Sequence, residues 1–239
     1  MSAPLLVLEG VTKTYNGKPV LSSIDLTSER GVATALVGIN GAGKSTLIRS
    51  ILDLLALDSG TIRINNIPHQ REAARKSVAY LPERFTAPHY LTGRELLRGL
   101  LSLHDVVFDE HAATNECRLL DLDPAVLDQR TRHYSNGMTQ KLGLIACTLS
   151  QCDLLLLDEP LSGLDPVANR DYRDRLRKLK AGGTTLFFST HALAEVAHIC
   201  DRVVVLHAGH IAFDGTVAAL CKGAPSGDPN AALLALIER

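Results

Sequence analysis

The chain shows almost no charge imbalance, no C-x-x-C pair, no apolar run long enough to cross a bilayer and no internal repeat. Each absence removes a class of function. Formal net charge is −1 over 239 residues, so the basic field that non-specific nucleic-acid binding needs is missing and no nucleic-acid partner is expected. The five cysteines, Cys117, Cys147, Cys152, Cys200 and Cys221, are odd in number and carry no metal or redox spacing. Free, packed thiols in a reduced cytosol are the expectation. No run approaches the roughly 18 apolar residues of a membrane-spanning helix. The opening MSAPLLVLEG has neither the basic region nor the long apolar region of a signal peptide. A soluble protein, or the soluble part of something larger, is expected. Turn-rich, biased sequence is confined to KGAPSGDPN (222–230).

What is present is a set of apolar runs of two kinds. The first 30 residues and GTIRINN (60–66) cluster β-formers between Gly and Asn turns, as short antiparallel strands would. ATALVG (33–38), LLLLD (154–158), TTLFFST (184–190) and RVVVLHAG (202–209) are unbroken, the pattern of parallel strands buried on both faces. Helical patterns follow the first three, which predicts βα units on a parallel sheet. Between Thr92 and Ser150 only helical stretches occur, and Thr92 with Glu95 has capping-box spacing ahead of LLRGLL. The expected fold is α/β, a nucleotide-binding core (1–87 and 151–239) with an N-terminal antiparallel β part and a helical insert at 88–150. The charge run RDYRDRLRKLK (170–180) reads as a solvated helix face with i, i+4 pairs.

Residues 38–45, GINGAGKS, fit G-x-x-x-x-G-K-[ST] between an apolar strand and a helix pattern. Gly38, Gly41 and Gly43, with Ile39, Asn40 and Ala42 between them, let backbone N–H groups turn towards a phosphate. Lys44 supplies a cation for the β and γ phosphates, and Ser45 a hydroxyl for Mg2+. A nucleoside triphosphate site is expected. LLLLDEP then brings Asp158 out at the carboxyl end of a strand, where open α/β sheets bind ligands and a carboxylate can hold Mg2+. Glu159 follows, pointing to a different side, where it can polarise an attacking water. YSNGMTQKL (134–142) reads as a helix start: Ser135 is a good N-cap, and the small residues after it leave backbone N–H groups open to an anion.

With these motifs in place, nearly the whole chain resembles the ATP-binding (nucleotide-binding domain) subunit of an ABC transporter, a P-loop NTPase with a RecA-like core. GINGAGKST, including Thr46, is similar to the Walker A loop, LLLLDEP to the Walker B strand, LSGLDP (161–166) to the D-loop and STH (189–191) to the switch histidine segment. The resemblance implies that Tyr15 stacks on adenine and that His191 contacts the γ-phosphate. It also implies that YSNGMTQKL is the family signature, in which Ser135, Asn136 and Gly137 face the γ-phosphate held by a second subunit. Three residues depart from the family pattern, one of them Met138, which stands in the signature where Gln is usual. Asn136 stands where Gly is usual, tolerable because Asn accepts positive φ. Glu83 in AYLPERF stands where a glutamine is usual, and its carboxylate can reach Mg2+ or a water.

The resemblance implies an ATPase that closes with a second nucleotide-binding subunit, as a homodimer in the ATP state, and drives separate integral membrane permease subunits. Its implied place is peripheral, on the cytoplasmic face of the cell membrane. The YSxGM signature, the YLPE…LTGRELL stretch and the lack of a long C-terminal regulatory domain resemble the export-type branch. The alternative is a non-transport ABC ATPase acting in DNA repair or on ribosomes, whose coiled coils, zinc modules or tandem cassettes are missing here. A P-loop kinase or GTPase is a third possibility, but no N-K-x-D guanine-reading motif occurs.

Overall fold

Unbroken apolar runs belong where both faces of a strand are covered, and the chain places them there. A computed structural model describes residues 3–162, 164–193, 197–222 and 229–237. Gly163 of LSGLDP, part of the helical pattern after TTLFFST (194–196) and most of KGAPSGDPN (223–228) lie outside the described residues. The N-terminal half runs β1 (Leu6–Tyr15), β2 (Lys18–Ser28), β3 (Ala33–Val37), α1 (Lys44–Ile51), β4 (Ser59–Ile64), β5 (Ile67–Pro68), α2 (Glu72–Arg75) and β6 (Val78–Leu81). Then come α3 (Gly93–Ser102), α4 (Glu110–Leu119), two short 3-10 turns and α5 (Asn136–Leu149). The chain continues through β7 (Leu154–Asp158), α6 (Pro166–Ala181), β8 (Thr185–Thr190), β9 (Arg202–His207), β10 (His210–Gly215), α7 (Val217–Cys221) and α8 (Pro229–Ile237).

One sheet has the order β10-β9-β3-β8-β7-β6, parallel from β9 to β6 with β10 antiparallel at the edge; the other, β2-β1-β4-β5, is antiparallel. Period-2 geometry divides each central strand between two cores. Leu154, Leu156, Phe187, Val204 and Leu206 face Leu47, Ile48 and Ile51 of α1 and the antiparallel sheet. Leu155, Leu157, Phe188, Val203 and Val205 face the helices on the other side. The expected parallel core and antiparallel part are both present. The first strands are longer than expected, at 10 and 11 residues.

The 92–150 stretch holds helices, as expected, with one isolated bridge between Thr92 and Arg130. The capping box forms: Thr92 Oγ1 accepts from Glu95 N at 3.2 Å, while Glu95 Oε2 accepts from Thr92 N at 2.8 Å. Leu96, Leu97 and Leu101 of α3 are buried. All five cysteines are free thiols, three of them buried. The charge run forms α6 but differs from a simple solvated face. Tyr172 and Leu176 are buried, Arg177 pairs with Asp174 three residues back, and Arg175 reaches across to Glu116 of α4. Side chains on α6 were therefore committed to neighbours that spacing along one helix does not reveal.

Candidate functional site

α1 begins without a side-chain cap. Its N-cap is Gly43, and no acidic residue lies in its first turn. In contrast α3, α4, α5, α6 and α7 are capped by Thr92, Asp109, Ser135, Asp165 and Thr216. The first N–H groups of α1 and the positive end of its dipole are therefore available to an anion. Gly43 sits at φ 106°, and a Cβ there would meet Val20 O at 2.8 Å, so only glycine fits both the turn and the close approach.

Lys44 opens α1 and folds back over the loop, donating to Gly38 O at 2.7 Å and to Ile39 O at 3.4 Å. Burial lowers its pKa from the ordinary lysine value, and Glu159, then Asp158 and Glu83, pull it back up. Asp158, at the end of β7, is 4% exposed and accepts from Ser189 Oγ. Glu159 turns the chain at φ 49°, its N–H donates to Ser189 Oγ at 3.1 Å, and its Oε1 stands 3.0 Å from His191 Nδ1 and 3.9 Å from Lys44 Nζ.

These groups share one pocket of about 340 Å3, walled by Asn40, Gly41, Gly43, Lys44, Ser45, Thr46, Glu83, Asp158, Glu159 and His191, with Val20 and Ser162. Gly38 and Ala42 lie buried beneath the loop, and Ile39 is exposed beside it. Tyr15 is 44% exposed at the end of β1 and is not among the described walls; Lys13 Nζ lies 5.6 Å from its ring centre.

Asn136 and Gly137 line a neighbouring pocket of about 590 Å3 with Glu83, Arg84, Phe85, Thr86, Gln140 and Ser162. Ser135 caps α5 as expected, accepting from Met138 N at 3.2 Å. Asn136 is the first residue of that helix and has no positive φ, so the tolerance invoked for it is not used. The sequence reading did not single out Val20, Ser162 or Ser189 as site residues. Ser162 lay in the LSGLDP stretch and Ser189 in the STH stretch already quoted, and Ser189 is in addition a polar residue inside a buried strand.

The site is an anion-accepting helix end, one cation and three carboxylates around a single cleft. That arrangement suits a polyphosphate with a dication and an in-line water. The family described as ABC transporter matches residues 21–162. The chain is 37% identical over 214 residues to YdbJ, an uncharacterised ABC transporter ATP-binding protein of Bacillus subtilis (strain 168), covering 88% of this chain and 69% of the relative. It is 34% identical over 219 residues to the daunorubicin resistance ATP-binding protein DrrA3 of Streptomyces coeruleorubidus, covering 90% of this chain and 69% of that one. The solved structure of an ATP-binding subunit of an ABC transporter superposes with a TM-score of 0.87 at 32% identity, over 97% of each chain.

Proposed function

We propose that this chain, which belongs to the ABC transporter family, works as one half of an ATP-closed dimer that drives a separate membrane permease. It is an ATP-hydrolysing subunit with a P-loop NTPase fold, and its role is to energise transport. One observation carries this reading: the uncapped start of α1, Lys44, Asp158, Glu159 and His191 all wall one cleft.

Within that cleft the loop from Gly38 to Thr46 wraps the phosphates, and Lys44 neutralises them. Ser45, Asp158 and Glu83 offer only oxygen donors. No self-sufficient cluster of metal-binding side chains occurs among the described residues. Both features fit Mg2+, which keeps substrate phosphates and waters as ligands. When bound there, Mg2+ supplies charge neutralisation at the β and γ oxygens. Glu159 polarises the attacking water, His191 holds Glu159 and reaches the γ-phosphate, and Tyr15 stacks on adenine. Residues 88–150 act as the helical subdomain that carries α5.

The start of α5 is assigned to a partner subunit's nucleotide. Among the described residues, Ser135, Asn136 and Gly137 form no wall of the pocket around Lys44. A Cβ on Gly137 would meet nothing nearer than Ser135 Oγ at 3.9 Å, so packing within the chain does not demand a glycine there. A close-approaching group from outside would account for it. A homodimer in the ATP state meets that demand twice by symmetry.

No helix among the described residues is long and apolar enough to cross a membrane. We place the spanning segments on separate permease chains, with this subunit on the cytoplasmic face. Export is the proposed direction, supported by similarity to a drug-resistance ATP-binding protein.

Replacing Ser135 with Arg tests the shared site. Bulk and charge at the helix start block closure without touching Lys44, so Ser135→Arg is expected to keep ATP binding by the monomer. Hydrolysis should fall by about 10²-fold, the scale of a misplaced reacting group. Equilibrium binding of a fluorescent ATP analogue and phosphate release separate the two effects. Loss of binding by the monomer would assign this loop to its own pocket and refute the dimer.

A further inference from the structure

We propose that Ser189 positions both carboxylates of the ATP site, orienting Asp158 through its hydroxyl proton and fixing the Glu159 backbone through its oxygen lone pair. This role rests on the ATPase reading and adds to it a role for Ser189, the first residue of the STH segment, of which only His191 was given one. Ser189 lies on β8 directly opposite Asp158 in the parallel register with β7, and it is 0% exposed. Its Oγ donates to Asp158 Oδ1 and accepts from Glu159 N at 3.1 Å.

The first bond decides which Asp158 oxygen is free. Asp158 is itself buried, and an ionised oxygen at such depth needs a donor. With Oδ1 occupied by the hydroxyl, Oδ2 has no described hydrogen-bond partner, and Asp158 walls the cleft.

The second bond acts on Glu159, which turns into the left-handed region at φ 49°. A non-glycine residue there holds its conformation only when its surroundings fix it. Ser189 fixes the N–H at the turn, and Glu159 Oε1 then stands 3.0 Å from His191 Nδ1. One hydroxyl thereby sets the angle between the metal-side carboxylate and the water-polarising one. Of its neighbours on β8, Phe188 is buried and apolar, and the Thr190 hydroxyl is used elsewhere, accepting from Ala192 N at 3.0 Å, so Ser189 alone serves the two carboxylate residues. Alanine can make neither bond. Cysteine fills the same space with only a weak donor and acceptor.

The test compares Ser189→Ala, Ser189→Cys and the unaltered full chain for ATP turnover, for the Mg2+ concentration giving half-maximal turnover, and for binding of a fluorescent ATP analogue without Mg2+. Both variants are expected to lose about 10–100-fold in kcat, with KM for ATP little changed, and to need about tenfold more Mg2+. Binding without Mg2+ and the unfolding midpoint should match the unaltered chain. If Ser189→Cys keeps the kcat and Mg2+ requirement of the unaltered chain, volume rather than the hydroxyl matters and the proposal is wrong. It is also wrong if Ser189→Ala matches the unaltered chain, or if Ser189→Ala loses binding without Mg2+. An unaltered chain that fails to turn over ATP would remove the ATPase reading itself, a different outcome from any of these.

Discussion

Lys44→Ala is expected to lose ATP turnover by at least about 10²–10³-fold, the scale of removing one preorganised electrostatic contact, together with most nucleotide binding. The reason lies in the charge balance of the cleft. Lys44 is the one lysine or arginine among the described walls, and it faces Glu83, Asp158 and Glu159. Without it a polyphosphate enters a cleft lined by carboxylates and little else that is charged. The fold should tolerate the change, because Lys44 is held against its own burial and, of its two carbonyl acceptors, only that of buried Gly38 is left away from water, while Ile39 is exposed. A 1 kcal/mol change would move the unfolding midpoint by only about 2–4 °C in a chain of this size. Nucleotide binding, phosphate release and thermal unfolding check the three parts. Near-normal turnover by Lys44→Ala would remove the phosphate-site assignment.

Glu159→Gln should slow the chemical step by about 10²–10⁴-fold while keeping ATP bound. Glutamine preserves the size of the side chain and an oxygen that can still meet His191 Nδ1, 3.0 Å away, but it loses the basic carboxylate. Asp158→Asn should behave differently. Asp158 is the buried carboxylate on the metal side, so its loss should raise the Mg2+ requirement and weaken Mg2+-ATP binding. Glu83 also lines the cleft and is exposed to water. If Glu159→Gln hydrolyses ATP normally and Glu83→Gln does not, the base is Glu83.

The sequence revealed the parts of this fold whose causes are local. β3, β7, β8 and β9 read as buried strands because cores on both faces remove any need for polar alternation. The capping box at Thr92 and the cap at Ser135 involve residues three apart, so spacing alone was enough. β1 and β2 looked short because register shifts interrupt the period between Leu8 and Val11 and again near Thr14. A bulge resets which face each side chain takes, and the alternation fails to carry through. β6, only Val78–Leu81, and β10, at the antiparallel edge, were too short or too mixed in pattern to stand out.

The same division holds in the site. The phosphate loop is one continuous segment and was visible at once. The link from Ser189 to Asp158 exists only because β7 and β8 pair in a particular register, a relation between residues 31 apart. The Arg175–Glu116 pair, likewise, joins helices far apart in sequence.

The central claim is that ATP joins two copies of this chain across their nucleotides. Light scattering of Glu159→Gln tests it most directly, because hydrolysis is blocked while binding is kept. With Mg2+-ATP the mass should rise from that of the 25.8-kDa chain to twice that value, and it should stay at the single-chain value when Ser135→Arg is added. A nucleotide-loaded Glu159→Gln chain that remains at the mass of one chain would contradict the claim.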